Sequence, residues 1–172
     1  AGRLYLPGEG EGRNAVYAAV KGWQAYACDL SEAGKKKAMV LAQENQVTIE
    51  YTIGDFGTLK YQHAYFDAAV FIFAHFPIDK KRAYHQLVDA YLRVGGTIII
   101  EAFSKSHIHY NKTNPQVGGP KNAEMLLSKE ELESYFPNYN IQLLEEVETS
   151  LHEGQFHIGK ASVVRFIGKK SY

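Results

Sequence analysis

Residues 66–77, FDAAVFIFAHFP, constrain this chain more than any other stretch. After Asp67 the run is apolar until His75, and Pro77 closes it. A strand with no polar alternation has no face to give to water, so it belongs inside a sheet covered by helices on both sides. The flanking sequence offers such layers. RLYLP (3–7) reads as a strand, and RNAVYAAVKG (13–22) as a helix with Val16, Ala19 and Val20 on one face and Gly22 placed to end it. WQAYACDL (23–30) is a second strand. Ser31 then stands as N-cap and Glu32 near the positive helix end, while Ala38, Leu41 and Ala42 form an apolar stripe and Lys35, Lys36 and Lys37 a solvated face. In QVTIEYTIGDF (46–56), Val47, Ile49, Tyr51 and Ile53 alternate with polar residues up to Gly54-Asp55. Residues 79–94 keep helical spacing through Ala83, Leu87, Ala90, Tyr91 and Val94, and Gly95-Gly96 is placed to stop that helix before the strand TIIIEAF. Repeated switching between the two periods predicts an α/β fold.

Beyond residue 103 the pattern changes. Residues 104–127 are rich in Asn, Gly, Pro, Lys and His, a long connection of the kind that carries function. Ser128 and Glu131 form a capping-box pattern ahead of a short helix that Pro137 ends. IQLLEEVETSL and KASVVRFIGK are two β-like runs joined by HEGQFHIG, and with no crossover helix between them they must pair antiparallel. There is no repeat or linker, and 172 residues of which 45% are hydrophobic suit a single domain over 1–172.

Composition narrows the partners. Lys plus Arg equals Asp plus Glu at 19 each, so no basic field gathers nucleic acid or an anionic membrane surface, and a small molecule is the expected partner. The lone Cys28 has no internal disulfide partner, which suggests a reducing, cytoplasmic setting. No stretch approaches the roughly 20 apolar residues of a membrane span. Oligomeric state leaves no mark in the sequence.

The chemistry concentrates in LPGEGEGRN, residues 6–14. Gly8, Gly10 and Gly12, set between a strand and a helix, let a ligand approach the backbone while amides at the helix start supply donors. A dinucleotide loop would place a small residue where Arg13 stands, and its diphosphate would meet Glu9 and Glu11 in a poorly screened cleft. A cationic, phosphate-free ligand removes the conflict. Both glutamates can instead complement the dipole of the following helix; Glu9, inside the loop, is the one expected to face a ligand. Asp29 closes the second strand about 20 residues beyond the first glycine, where a carboxylate accepts ribose hydroxyls. Asp55 and Phe56 follow the third strand.

Together these residues resemble the class I S-adenosylmethionine-dependent methyltransferases, and within them the tellurite-resistance and thiopurine-type small-molecule branch. The resemblance implies a three-layer Rossmann-like fold whose mostly parallel seven-stranded sheet has an antiparallel last strand. It also implies S-adenosylmethionine as cofactor, held by Gly8, Glu9, Gly10, Gly12, Asp29, Leu30, Asp55, Phe56 and Phe73. Where the family commonly has an acidic residue two positions before the first glycine, this chain has Leu6. In FAHFP, His75 is the candidate to orient a nucleophile or take its proton, and Phe73 and Phe76 can face a sulfonium. Phe76, Tyr110 and Lys121 are candidates for the acceptor pocket. His107 and His109 lack a third ligand in a recognised spacing, so no metal is expected. Family members carry lid helices ahead of the first strand, which here begins near Arg3. Two other readings stay open, a non-catalytic adenosyl-binding module and a nicotinamide-dependent dehydrogenase.

Overall fold

A computed structural model describes residues 1–153 and 157–172. The chain runs β1 (Arg3–Pro7), α1 (Arg13–Val20), β2 (Gln24–Asp29), α2 (Glu32–Glu44), β3 (Glu50–Ile53), β4 (Phe66–Ile72), α3 (Ile78–Tyr91), β5 (Leu92–Phe103), α4 (Ile108–Thr113), α5 (Lys129–Tyr135), β6 (Tyr139–Glu153) and β7 (His157–Lys170). The seven strands form a sheet of order β3-β2-β1-β4-β5-β7-β6. Strands β1 to β5 are parallel, and β7 runs antiparallel between β5 and β6. The sequence therefore anticipates the fold class, the antiparallel last strand and the direct β6–β7 pairing. Residues 154–156 of the joining segment HEGQFHIG lie outside the described residues; the rest of it extends the two strands.

Alternation along the strands sorts the core. Tyr5 and Phe71 pack with Val88 and Tyr91 of α3 and Leu132 and Tyr135 of α5. Leu4, Leu6 and Ala68 pack on the other face with Ala15 and Val16 of α1 and Ala38 and Ala42 of α2. A third cluster joins Phe103, Val117 and Leu126 to Leu151, Ala161 and Val163, seating residues 104–127 on the end of the sheet. Ser128 and Glu131 make the expected capping box, at 3.3 and 3.0 Å.

Three expectations need correction. The helix after β4 ends at Tyr91, and Gly95-Gly96 lies inside β5, where Gly95 takes a φ of 75° beside a register shift against β4. A Gly pair serves a bulge as well as a helix stop, and pairing with β4 decides between them. β3 shortens to four residues, with Tyr51 buried and Ile53 exposed. β4 is fully covered only on the α3 side: Val70 and Ile72 are half-buried because α1 sits over β1 and β2 and α2 over β2 and β3.

From β1 the chain moves outward to β2 and β3, then returns to β4 and moves the other way. Neighbouring connections therefore diverge between β1 and β4, and a crevice opens at the carboxyl ends of those strands, where open α/β sheets take their ligands.

Candidate functional site

The crevice is built on the glycine turn. Gly8, Gly10 and Gly12 have φ of 71°, 62° and 82°, a region L side chains avoid. A Cβ on Gly8 would lie 2.9 Å from Ala74 Cβ, and one on Gly12 would lie 2.3 Å from Ala38 Cβ. The first glycine thus lets the loop touch the segment after β4, and the third lets it touch α2. Both Gly8 N and Glu9 N donate to Cys28 O, at 2.8 and 3.2 Å, and the Tyr51 hydroxyl donates to Gly10 O. The loop is consequently tied to β2 and, beyond it, to β3.

Asp29, at the end of β2, accepts Gly10 N on Oδ2 and Ser31 N on Oδ1, both at 2.9 Å. A carboxylate has about four acceptor directions, so one remains open on each oxygen. Asp55 accepts Gly57 N at 2.9 Å, the Tyr84 hydroxyl, and Lys80 Nζ at 3.0 Å. These donors, Tyr84 foremost, hold it down at about 2. Glu9 turns the other way: its carboxylate accepts Ala15 N at 2.7 Å and Asn14 Nδ2 at 3.4 Å. The α1 N-cap is Gly12, which has no side chain to offer, and Glu9 takes over that office. Burial pushes Glu9 up to about 7.

A cleft of ≈ 220 Å³ lies among these groups. Of the residues the sequence proposed, Gly8, Asp29, Leu30, Asp55, Phe56, His75 and Phe76 line it. Leu30 is 73% exposed, an apolar side chain held out at the cleft edge, while Phe56 and Phe76 pack edge to face at 5.1 Å. Glu9, Gly10 and Gly12 shape the loop without lining the cleft. Phe73 turns toward Phe103 and His157, at ring distances of 4.7 and 4.9 Å, and does not line it.

His75, the expected base, lines the cleft and is held by backbone on two sides. Its Nε2 accepts Phe103 N at 3.3 Å and its Nδ1 faces Met125 O at 3.4 Å, so the neutral ring with a proton on Nδ1 satisfies both contacts. Burial lowers it to about 4. Proton uptake would cost the Phe103 bond, which makes His75 a pin between β5 and residues 104–127.

The two outlying acceptor candidates lie elsewhere. Tyr110 packs with the third core cluster, and Lys121 lines a separate surface depression with Asn111 and Lys112. His107 stacks on Phe103 at 3.9 Å and its Nε2 meets Gly118 O at 3.0 Å, while His109 is exposed.

Sequence reasoning missed Cys28, Gly54, Pro77, Lys80 and Tyr84. The Cys28 thiol, 3.4 Å from the Tyr5 hydroxyl, is raised by burial to about 11 and stays protonated. Lys80 and Tyr84 left one sign, their four-residue spacing, which puts them on one helix face.

A methyltransferase domain family matches residues 7–96, more than half of the chain and the whole stretch from the glycine turn to the start of β5. The chain belongs to this family. The methyltransferase matches no curated protein sequence. Among solved structures it is similar to a SAM-dependent methyltransferase of Methanosarcina mazei, with 15% identity, a TM-score of 0.74, and 98% of this chain aligned to 92% of that one. It is similar to TehB of Haemophilus influenzae, with 18% identity and a TM-score of 0.75, 98% of this chain covering 57% of that one. It also resembles 1,6-didemethyltoxoflavin-N1-methyltransferase of Burkholderia thailandensis, whose structure holds 1,6-didemethyltoxoflavin and S-adenosylhomocysteine. There the identity is 19%, the TM-score 0.69, and the coverage 99% and 71%. At these identities the likeness is one of fold, and the fold is the expected Rossmann-like sheet.

Proposed function

We propose that this methyltransferase transfers a methyl group from S-adenosylmethionine to a small-molecule acceptor, a thiol or an oxyanion such as tellurite. The acceptor class follows the branch that LPGEGEGRN resembles. The observation that carries the reading is the pair of open acceptor directions on Asp29, one per oxygen, fixed by two backbone amides at the mouth of the cleft. Such a carboxylate suits the two hydroxyls of a ribose.

The other residues fit the same ligand. Asp55 offers an acceptor at the base end, Leu30 offers an apolar surface to a ring face, and the glycine turn brings backbone close without presenting a cation of its own. Arg13 is exposed and does not line the cleft. A diphosphate would meet Asp29 and Asp55 with Lys80, already paired to Asp55, as the cation lining the cleft, whereas an adenosyl sulfonium carries none of that repulsion. A volume of ≈ 220 Å³ falls below the ~300–1,000 Å³ of enclosing ligand pockets, so the ligand lies partly along the open rim beside Leu30.

When bound, S-adenosylmethionine supplies an electrophilic methyl that passes in line to an acceptor lone pair as the carbon–sulfur electrons leave to sulfur. The chain's part is to hold the ribose on Asp29 and the base on Asp55, which fixes where the methyl points. Phe76, packed on Phe56 and Tyr84, forms an apolar wall of the cleft. No protein base is required, in keeping with the two backbone contacts of His75.

The test is S-adenosylhomocysteine release from S-adenosylmethionine with thiols, tellurite and amines offered in turn. Turnover with one acceptor class is the expected result. Tight cofactor binding with no turnover across the panel would favour the binding module instead.

A further inference from the structure

Lys80 and Tyr84 reach from α3 across the base end of the cleft to a single carboxylate. The Tyr84 hydroxyl lies 2.5 and 2.6 Å from Asp55 Oδ1 and Oδ2. Lys80 Nζ lies 3.0 Å from Oδ2, and Gly57 N lies 2.9 Å from Oδ1. The approach of the turn to the helix is close: a Cβ on Gly57 would fall 2.6 Å from Tyr84 Cε1. Phe56 packs its ring edge to face on Tyr84 at 4.3 Å, and Lys80 Nζ stands 5.6 Å from the Tyr84 ring centroid.

Counting protons gives the consequence. The Tyr84 hydroxyl has one, so it fills a single acceptor direction although it is near both oxygens. Gly57 and Lys80 fill two more, and of about four directions on the carboxylate one is left. All three neighbours donate, which favours the ionised form. A ligand group meeting the last direction must be a donor; a carbonyl oxygen there would face an anion with no proton between them.

We propose that Tyr84 and Lys80 are positioning residues that set base selectivity, locking Asp55 as an acceptor with one open direction so that the cleft takes a 6-aminopurine and rejects its 6-oxo counterpart. The inference rests on the reading of this cleft as an adenosyl site. Without the two α3 donors the carboxylate is free to turn, and a water can stand between it and a 6-oxo group, so discrimination weakens.

Calorimetry with S-adenosylhomocysteine and its deaminated analogue S-inosylhomocysteine tests this on the full chain. The wild type is expected to prefer the amino compound at least about 100-fold. Asp55→Asn, whose amide can donate to a 6-oxo group, should bring the ratio near one. Tyr84→Phe and Lys80→Met should each lower it by about 10-fold, and Lys80→Arg should restore it. A loss of fold alone would weaken both ligands equally and leave the ratio unchanged. If Tyr84→Phe does not fold, Lys80→Met decides, because the Lys80 side chain is 46% exposed. Wild-type ratios in both α3 variants would overturn the proposal, as would a wild-type ratio in Asp55→Asn. Failure of the wild type to bind either thioether would instead overturn the adenosyl reading itself.

Discussion

Glu9 is a carboxylate inside a glycine turn, and its direction is a question of which donors need it. With Gly12 as N-cap, the first amides of α1 lack a side-chain acceptor, and Glu9 folds back to Ala15 N. The same burial raises it from 4.5 to about 7. Its folded value lies above its unfolded one, so the stability it contributes is whole below pH 4.5 and is lost as pH rises through about 7. At about 1.4 kcal/mol per unit, that loss is at most roughly 3.5 kcal/mol. Glu9→Gln should therefore show a flatter stability curve between pH 4.5 and 8 than the wild type in urea unfolding; parallel curves would refute the burial argument. In the sequence, Gly-Glu-Gly-Glu announces the turn but leaves the glutamate's direction open. His75 is similar, since its place at a strand end was legible while its two backbone partners, from β5 and from residue 125, come together only in the folded chain.

At the scale of elements, the glycine turn and α2 are fitted to each other. A Cβ at Gly12 meets Ala38, whereas one at Gly10 has nothing within 4 Å. Gly12→Ala should cost more than about 3 kcal/mol, combining overlap with backbone strain, and Gly10→Ala only about 1–2 kcal/mol from strain. Denaturant unfolding of the two variants separates these values; equal losses would mean that the α2 contact does not matter. Lys81 is the corresponding anchor on the other face. Its ammonium, buried on α3, donates to Glu131 Oε1 at 2.8 Å and to the carbonyls of Glu124 and Leu126 at 2.7 and 2.9 Å. Lys81→Met leaves those acceptors without that donor and should destabilise the chain by about 3 kcal/mol, with faster proteolysis within residues 104–127. Nothing in the sequence distinguished Lys81 from its solvated neighbours. The 104–127 stretch reads as a loop because its apolar residues follow no period, yet Val117 and Leu126 close a core cluster.

For the whole molecule, local pattern was enough to give an α/β chain with a closing antiparallel pair, because the two periods alternate so regularly. Strand order was beyond it: which strand neighbours β1 depends on pairings made across 60 residues and more, as between Leu4 and Ala68. That order puts the glycine turn, Asp29 and Asp55 at one crevice, although they are spread from residue 8 to residue 55. Lys80 and Tyr84 join them only because α3 returns over the same end of the sheet. The direct measurement of the central claim is calorimetric titration of the full chain with S-adenosylmethionine and, separately, with NAD. The account predicts saturable S-adenosylmethionine binding that Asp29→Ala weakens at least about 10-fold and Lys36→Ala leaves unchanged, with no heat from NAD. Equal affinities for Asp29→Ala and wild type, or NAD displacing S-adenosylmethionine, would contradict it.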